Sequence, residues 1–575
     1  MSRRAALAVG AAVLALAAAV PALAAGPAKP ADPSSRPGGQ IAFERTRPVV
    51  PHLLVTFADT PSGQVARARL AGLGRIAAVL PEAGIWSVVP GDAATARDRA
   101  LARDGVSGVE WSREREAEQA PAPPAALGPA PPVTDPLFTP TAQWSLLTRT
   151  SWGIDLTTIP VRPRIAILDS GVDATHEEWS GPNSPLVAPR STLRNDADAS
   201  DHGLTGHGTH VAGIAAAPVN GVGIVGVAPA AAGTAPVIPV QIADQNGDSS
   251  DLTIIRGIRW AVNNGAKVIN ISAGGIGYSR AFQDTILWAS SRGALVVASV
   301  GNQGQDVNAL NYPAAYRRVL GVGAQCDGIV TYDCPRPFET ATFSTHNRSV
   351  DVIAPGVNIL STVPRRVSER VVTPGYALKD GTSMAAPYVA GLAALVMAAN
   401  GGNLSTYQVM SQIENTAADI GAKGRDDFSG HGVVNSRAAV TLTAPRDDAD
   451  EVNDDVKWLT GTISLNQRRP STIAASADRV EDPDDVYAVR LKKGERLRMN
   501  LSHARGTLDL YLWNPGTRTV ATGQDNIDRH LVRFRSGVKR RTVMTVTATR
   551  AGVYYVNVFA RAGKSAYTLT LTRGV

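Results

Sequence analysis

A serine at the predicted start of a helix is the most chemically suggestive residue of this 575-residue sequence. The run from Gly381 to Pro387 reads Gly-Thr-Ser-Met-Ala-Ala-Pro and leads into an alanine-rich stretch, so Ser383 follows a glycine turn at a helix N-terminus. Unpaired backbone N–H groups and the positive end of the helix dipole gather there and would stabilise an oxyanion. An isolated Gly-Thr-Ser is also typical of an ordinary helix N-cap, so the motif needs partners elsewhere.

Two further segments contain the groups that activate a serine. The apolar run that begins at Arg164 ends in Asp169 and a turn, which predicts a carboxylate at the C-terminal edge of a strand. Glycines flank His207, which begins a helix of small residues. A hydroxyl, a histidine base and a carboxylate that orients the base are the groups needed for nucleophilic acyl transfer.

The order Asp169, His207, Ser383 along the chain, together with the residues around each, resembles the subtilase family. The resemblance implies that Ser383 attacks the scissile carbonyl and that His207 takes the proton and returns it to the leaving amine. Asp169 would then orient the imidazole and stabilise its charged form. The oxyanion-hole asparagine of the family corresponds to Asn302, which follows an apolar strand-like run, although a Gly-Asn pair is also common in plain turns.

The resemblance extends to the residues that would contact the substrate. A strand with a glycine edge, where an extended peptide can pair with bare backbone, corresponds to Ser272, Ala273, Gly274 and Gly275. A glycine pair after a strand also fits a simple loop. His210 corresponds to a packed helix residue of the family. A zinc cluster of His202, His207 and His210 is disfavoured because no H-E-x-x-H helix accompanies them.

A structural calcium ion is the one metal that the resemblance implies. In relatives it is held by a glutamine near the mature N-terminus, a carboxylate after the catalytic aspartate and a loop after the histidine helix. The corresponding residues here are Gln143, Glu178 and Asn220. A glutamate replaces the usual aspartate, and Pro218 and Gly221 alter the loop. Oxygen ligands suit calcium, whereas catalysis itself is expected to need no cofactor.

Length and composition predict a soluble protein of several domains, since 44% of the residues are hydrophobic and 19% are charged. The helical spacing of Ile255, Ile258 and Val262 is followed by an apolar strand from Val268, and the alternation continues to the helix after Ser383. This pattern favours an α/β fold in which helices flank a subtilisin-like parallel sheet. A small α+β propeptide is expected before the sheet and a β-sandwich after it.

The N-terminal region is expected to be processed. Residues 1–24 combine basic, apolar and small-residue parts of a secretory signal, and residues 25–48 form a linker. Residues 49–117 resemble the inhibitory propeptide of subtilases, a ferredoxin-like unit, although a small unrelated adaptor domain is the alternative. A Pro/Ala-rich tether at 118–134 suits cleavage and precedes the catalytic domain at 135–445.

After an acidic linker at 446–480, short alternating strands replace the helices. Residues 481–575 resemble the prepeptidase C-terminal domain of secreted bacterial proteases, a β-sandwich whose aromatic residues fit either a core or a substrate-binding face. No stretch beyond the signal is apolar enough to span a membrane. In an exported protein the two cysteines, Cys326 and Cys334, most simply form a local disulfide, with two free thiols as the alternative.

The sequence thus predicts a secreted, monomeric serine endopeptidase that is autoprocessed from a precursor. Its partners would be protein or peptide substrates and its own propeptide. The net charge of +7 is spread along the chain and does not form a nucleic-acid-binding stripe. The alternatives are a processing protease with one physiological substrate and an inactive secreted binding protein.

Overall fold

The computed structural model describes residues 52–58, 61–80, 84–112, 114–117, 136–139, 141–147, 159, 161–231, 233–444, 453, 456, 459, 461–465, 470–478, 484–520, 524–537 and 540–574. The predicted signal peptide, the linker at 25–48 and the tether at 118–134 lie outside these residues. Where the structure describes the chain, three modules follow one another in the predicted order: a small α+β unit, an α/β domain and a β-sandwich.

The first module is a four-stranded antiparallel sheet with two helices. Its elements, in chain order, are β1 (Leu53–Phe57), α1 (Gly63–Arg69), β2 (Gly74–Leu80), β3 (Ile85–Pro90), α2 (Ala93–Leu101) and β4 (Val106–Trp111). The strand order β2-β3-β1-β4 is that of a ferredoxin-like βαββαβ unit. This is the topology expected from the resemblance of residues 49–117 to a ferredoxin-like unit.

A seven-stranded parallel sheet forms the centre of the second module. The strands are β6 (Arg164–Asp169), β7 (Arg190–Ser191), β8 (Val237–Gln241), β10 (Ala266–Ile271), β12 (Leu295–Ser299), β14 (Val319–Gln325) and β15 (Val352–Pro355). Their order, β15-β14-β12-β10-β6-β8-β7, confirms the predicted parallel sheet. The carboxyl ends of all these strands lie at one edge, where an α/β fold binds its ligands.

Helices cover both faces of this sheet. They are α3 (Trp144–Leu147), α4 (His207–Ala216), α5 (Asp251–Asn263), α6 (Arg280–Ser290), α7 (Thr382–Ala399), α8 (Thr406–Thr416) and α9 (Ser436–Thr441). Aliphatic residues of α4, α7 and α8 pack on one face, and those of α5 and α6 pack on the other. Because both faces are buried, the strands are continuous apolar runs without alternation.

Short strands complete the edges of the α/β domain. One group is β5 (Glu114–Ala117), β9 (Asp248–Ser250), β11 (Ala273–Ile276) and β13 (Asn311–Tyr312), in the order β13-β11-β5-β9. The other group, in the order β16-β18-β17, is β16 (Ile359–Thr362), β17 (Val371–Thr373) and β18 (Tyr376–Lys379).

The third module consists of two four-stranded antiparallel sheets around one core. Its elements are β19 (Ser471–Asp478), β20 (Asp484–Leu491), β21 (Arg496–His503), β22 (Thr507–Trp513), α10 (Gln524–His530), β23 (Leu531–Arg535), β24 (Arg541–Thr547), β25 (Gly552–Ala562) and β26 (Lys564–Gly574). The sheet orders are β19-β26-β21-β24 and β20-β25-β22-β23.

The predicted start of the sandwich at residue 481 is wrong. Strand β19 pairs along its whole length with β26, and Leu465 already belongs to the sandwich core, so the linker predicted at 446–480 ends earlier. The inward residues of β19 include Ala475 and Ala477, whose small side chains give a weak apolar signal in the sequence. One described contact to the α/β domain is the ion pair of Arg317 with Asp484, at 3.6 Å.

One helix of the described residues, α7, has the length and apolar composition that could cross a membrane, and 89% of it is buried inside the protein.

Candidate active site

Strand β6 and helix α4 bring Asp169 and His207 into contact. Asp169 is the last residue of β6, and His207 is the first residue of α4. Nδ1 of His207 lies 2.7 Å from Oδ1 of Asp169, and both side chains are buried. Since a carboxylate accepts this hydrogen bond, Nδ1 carries the proton and Nε2 is left as the basic nitrogen. Nε2 has no hydrogen-bond partner among the described residues.

Gly208 explains why α4 approaches β6 so closely. A Cβ atom at this position would lie 2.2 Å from the carbonyl oxygen of Gly171, so only glycine fits. The backbone N–H of Gly208 donates to Oγ of Ser170 at 2.9 Å. The glycine after His207 is therefore required by packing, and it fixes the helix start relative to the end of the strand.

A second buried carboxylate, Asp201, stabilises this junction. It accepts hydrogen bonds from Oγ of Ser170 at 2.9 Å and from the backbone N–H of Thr209 at 3.0 Å. Burial raises the pKa of Asp201, while the hydrogen bonds from Thr209 and Ser170 lower it. Sequence reasoning missed Asp201; its only local signal is an acidic residue six positions before His207 in a polar, glycine-rich stretch.

Ser383 is the second residue of α7 and is buried beside Ser272, the residue before β11. The N-cap residue Gly381 has φ 145° and ψ 159°, a conformation that is essentially restricted to glycine. Oγ of Ser383 donates a long hydrogen bond of 3.4 Å to the carbonyl oxygen of Ser272. The hydroxyl is thus oriented toward the residue before β11. In structures without substrate, catalytic hydrogen bonds are often long or not yet formed.

Asn302 lies beside the start of α7 with its amide group in one defined orientation. Oδ1 accepts hydrogen bonds from the backbone N–H and the hydroxyl of Thr382, both at 3.0 Å. Because both partners are donors, the oxygen and nitrogen of the amide are assigned without ambiguity. Nδ2 is buried and lacks a partner among the described residues, so it is available to a developing oxyanion.

Two of the four predicted edge residues pair with a strand of this same chain, β5. Ala273 and Gly274 of β11 pair with Ala117 and Glu116 of β5, and the other side of β5 pairs with β9. Ser272 lies just before β11, and Gly275 pairs with β13. Strand β5 therefore lies antiparallel to the edge that was predicted to bind substrate.

The other two histidines of the stretch are not part of this arrangement. His210 is fully buried, and its Nε2 lies 3.1 Å from each of the carbonyl oxygens of Ile359 and Ala377. Burial, assisted by the charge of Lys379, lowers the pKa of His210 well below its ordinary value, so the ring is neutral. His202 is exposed and lies 3.4 Å from Asp198. No group of three or more potential metal ligands (His, Cys, Asp or Glu) occurs in the described part of the chain.

Comparison with known proteins agrees with this geometry. Residues 162–432 match the family model described as the subtilase family. The chain is 36% identical over 276 residues to Subtilisin Savinase of Lederbergia lenta, covering 48% of this chain and 90% of that protein. It is 38% identical over 299 residues to fervidolysin of Fervidobacterium pennivorans, covering 49% of this chain and 41% of the relative. This chain belongs to the subtilase family.

The crystal structure of fervidolysin, described as a keratinolytic enzyme related to subtilisin, superposes with a TM-score of 0.57 at 21% identity. The superposition covers 90% of this chain and 92% of fervidolysin, and it confirms the fold. The subtilase is accordingly a serine endopeptidase that acts on proteins.

The predicted disulfide of this subtilase is present. Cys326 and Cys334 are bonded, and the bond closes a loop that leaves the carboxyl end of β14. Free cysteines, the alternative reading of the sequence, do not occur.

The three residues expected to bind calcium do lie together, around the loop that contains Asn220. However, both the nitrogen and the oxygen of the Gln143 side-chain amide form hydrogen bonds with the backbone of Val225. Its Nε2 donates to the carbonyl of Val225 at 2.8 Å, and its Oε1 accepts from the N–H of Val225 at 3.1 Å. The amide oxygen that would face an ion is therefore engaged.

Glu178 is surrounded by hydrogen-bond donors. Its carboxylate accepts from the N–H of Ile224 at 2.8 Å and from the amide of Asn220 at 3.1 Å. The hydroxyl of Tyr376 lies 3.2 Å from it and 2.9 Å from Glu177, the closer acceptor of its proton. Burial, followed by the charge of Glu178, raises the pKa of Tyr376, so its hydroxyl proton is retained. A Cβ atom at Gly223 would lie 2.0 Å from that hydroxyl, so the loop is already filled.

Calcium requires oxygen ligands around a cavity, whereas this loop presents donors to one carboxylate. The described arrangement of Gln143, Glu178 and Asn220 does not fit the ion, because protein donors occupy the carboxylate and the amide oxygen of Gln143. Calcium binding stays a prediction.

Proposed function

We propose that this subtilase is a secreted endopeptidase in which Ser383 is the nucleophile, His207 the general base and Asp169 the carboxylate that orients the base. The observation that carries the proposal is the buried 2.7 Å contact of His207 with Asp169, which fixes the proton on Nδ1 and leaves Nε2 without a partner among the described residues. Burial protects this contact from competition by water.

The residues support a two-step acyl transfer. Oγ of Ser383 attacks the carbonyl carbon of the scissile bond as its proton passes to Nε2 of His207. Asn302 donates from Nδ2 to the resulting oxyanion, with amides of the first turn of α7 beside it. The imidazolium then protonates the leaving amine, and a water molecule, deprotonated by the same nitrogen, hydrolyses the acyl-enzyme.

Single substitutions test these roles on a small peptide substrate and on a protein substrate. We expect Ser383→Ala and His207→Ala to abolish measurable turnover and Asn302→Leu to lower kcat by about 10²–10³, the cost observed for this type of donor in subtilisin. Ser411→Ala is the matched control, because Ser411 is also a buried serine on a helix but lies on α8. Activity in Ser383→Ala equal to that in Ser411→Ala would reject the assignment.

We further infer that residues 49–117 are an inhibitory propeptide. The support is twofold: the module has a ferredoxin-like topology, and β5, which follows it, pairs with β11, the strand expected to bind substrate, and with β9. Ala117, the last described residue of β5, pairs with Ala273, and the preceding residue Ser272 contacts Ser383 through its carbonyl. We therefore expect self-cleavage shortly after Ala117, between Glu118 and Gln119.

Mass spectrometry of the secreted protein tests self-processing. The wild type should begin at or near Gln119, and Ser383→Ala should persist as a precursor that retains the N-terminal module. Ser411→Ala should be processed like the wild type. Equal processing of the Ser383→Ala protein would mean that another protease makes the cut.

The remaining expectations belong to the same proposal. Residues 1–24 would direct export, and the mature enzyme would act outside the cell as a monomer without a catalytic cofactor. The C-terminal module has the antiparallel sandwich expected of a prepeptidase C-terminal domain, which supports that assignment. A cleavage profile on a peptide library would define the specificity that loop shapes determine.

A further inference from the structure

A buried network of polar residues holds the turn that precedes Ser383. Asp380 lies three residues before Ser383 and is 4% exposed. Its Oδ1 accepts a hydrogen bond from the backbone N–H of Asn358 at 2.5 Å, and its Oδ2 forms an ion pair with Nη1 of Arg370. The next residue, Gly381, donates its N–H to the carbonyl of Gly356 at 2.8 Å.

Asn358 is the junction of this network. Its backbone is left-handed, with φ 53°, so both its N–H and its side chain face the network. Oδ1 accepts from Nη2 of Arg370 at 2.6 Å, and Nδ2 donates to Oδ2 of Asp327 at 2.7 Å. Asp327 is itself buried and directly follows Cys326 of the disulfide. The network therefore links the disulfide loop to the turn that begins α7.

The charges in the network depend on Arg370. Burial raises the pKa of Asp380, the charge of Arg370 and the hydrogen bond from Asn358 lower it, and the charge of Asp327 raises it further. Asp380 is thus paired directly with Arg370, whereas Asp327 reaches the network through the side chain of Asn358. The planar guanidinium contacts Asp380 and Asn358 at once, which a lysine ammonium on a flexible chain reproduces poorly.

We propose that Asn358, Arg370 and Asp380 are positioning residues for Ser383, a role that rests on the proposed function of Ser383 as nucleophile. Asn358 and Arg370 hold the carboxylate of Asp380, and the carbonyl of Gly356 holds the N–H of Gly381. Glycine has the widest conformational freedom of any residue, so a turn at Gly381 without these anchors would let the first turn of α7 shift. A displacement of about 1 Å at a reacting group can cost about 10²-fold in rate.

The test compares two arginines in the same fold. Arg425 is also partly buried, pairs with the buried Asp351 at 3.4 Å, and donates to the carbonyls of Arg348 and Val350. Asp351 precedes β15, at the amino edge of the sheet, whereas Asp169 and Asn302 lie at its carboxyl edge. Arg425→Met therefore removes a comparable ion pair far from Ser383.

We expect Arg370→Met to lower kcat for a small peptide at least tenfold with KM changed less than twofold, and Arg370→Lys to lower kcat less. Arg425→Met should keep the kcat of the wild type even if its melting temperature falls as much as that of Arg370→Met. Values of kcat are normalised to active enzyme by titration with a serine-directed inhibitor. Asn358→Gly keeps the left-handed backbone, so a similar loss of kcat there would show that the side chain is needed.

Equal kcat values in the Arg370 and Arg425 variants, or a loss at Arg370 that disappears after active-site titration, would overturn the positioning role. If Arg370→Met does not fold, Arg370→Lys and Asn358→Gly decide the question by the same criterion. An active Ser383→Ala protein would overturn the proposed function itself. An inactive Ser383→Ala protein beside an unimpaired Arg370→Met protein would overturn only the positioning role.

Discussion

Ser272 and Ser383 exchange two hydrogen bonds. Oγ of Ser272 donates to the carbonyl oxygen of Ser383 at 2.9 Å, and Oγ of Ser383 donates to the carbonyl oxygen of Ser272 at 3.4 Å. Ser272 immediately precedes β11, so the proposed nucleophile is tied directly to the strand that pairs with β5. If a substrate pairs with β11 as proposed, these bonds align it with the hydroxyl of Ser383, as the proposed reaction requires.

Replacing Ser272 with Ala should destabilise the enzyme. Oγ of Ser272 also accepts from Nδ2 of the buried Asn270 at 3.0 Å, so the substitution leaves a buried donor without its partner. The free energy of unfolding should fall by about 1–3 kcal/mol, measured by denaturant titration. Ser299→Ala is the control, because Ser299 is equally buried but its Oγ has no partner among the described residues. Equal losses in the two variants would contradict the argument.

His210 should make the stability of the enzyme fall at acid pH. The folded protein holds its ring neutral, because burial lowers its pKa, whereas the unfolded chain takes up a proton below about pH 6.5. The unfolded state then binds more protons, so stability is lost as the pH falls through about 6.5, by up to about 1.4 kcal/mol per pH unit. His210→Gln keeps a donor for the carbonyls of Ile359 and Ala377. It should lower the slope of the unfolding free energy against pH by the amount that corresponds to one bound proton. Identical slopes between pH 7 and pH 5 would refute this account.

Glu178 is expected to stabilise its loop through protein donors. In Glu178→Gln an amide N–H₂ would face the amide of Asn220 or the N–H of Ile224, both of which are donors. The melting temperature should therefore fall, and the free energy of unfolding should decrease by about 1–3 kcal/mol. Glu177→Gln is the control: Glu177 also accepts from Tyr376, at 2.9 Å, but its side chain is 40% exposed. A rise in the melting temperature of the wild type on adding calcium after chelation would instead show that the ion binds the native state.

The sequence is most informative where local pattern and chemistry coincide. Asp169 ends a strand, His207 and Ser383 begin helices, and Asn302 follows a buried strand, each as predicted from a short run of residues. These positions follow from apolar runs that end at glycine turns. The predicted pair of cysteines is also local, because only seven residues separate them.

Interactions between distant segments were not predictable. Asn358 and Asp327 are separated by 31 positions, and nothing in the sequence around either residue indicates a shared hydrogen bond. Glu178 contacts Asn220, and Gln143 contacts Val225 in the same loop, but which atoms donate and which accept follows only from side-chain orientation. Strand β19 was missed because its buried residues include Ala475 and Ala477, whose small side chains give a weak apolar signal in the sequence.

The N-terminal module caps the start of α6 through one carboxylate. Glu110 accepts hydrogen bonds from the hydroxyl of Ser279 at 2.8 Å and from the backbone N–H groups of Arg280 and Ala281, at 2.9 and 2.8 Å. A negative charge at this end of a helix interacts favourably with the helix dipole. Glu110 should therefore help to hold the module on the enzyme after the proposed cleavage.

Replacing Glu110 with Ala should weaken this hold roughly 10- to 100-fold, since hydrogen bonds to a charged group contribute about 1.5–3 kcal/mol. The measurement is the lag between cleavage, followed by mass spectrometry, and the appearance of activity on a small peptide, which reports dissociation of the cleaved module. Asp104→Ala is the control, because the side chain of Asp104 is 93% exposed and forms an ion pair with the module's own Arg69, at 3.8 Å. The lag should shorten in Glu110→Ala and stay unchanged in Asp104→Ala. Equal lags would mean that apolar packing of Leu54 and Ile85 against α5 and α6, rather than the helix cap, limits release of the module.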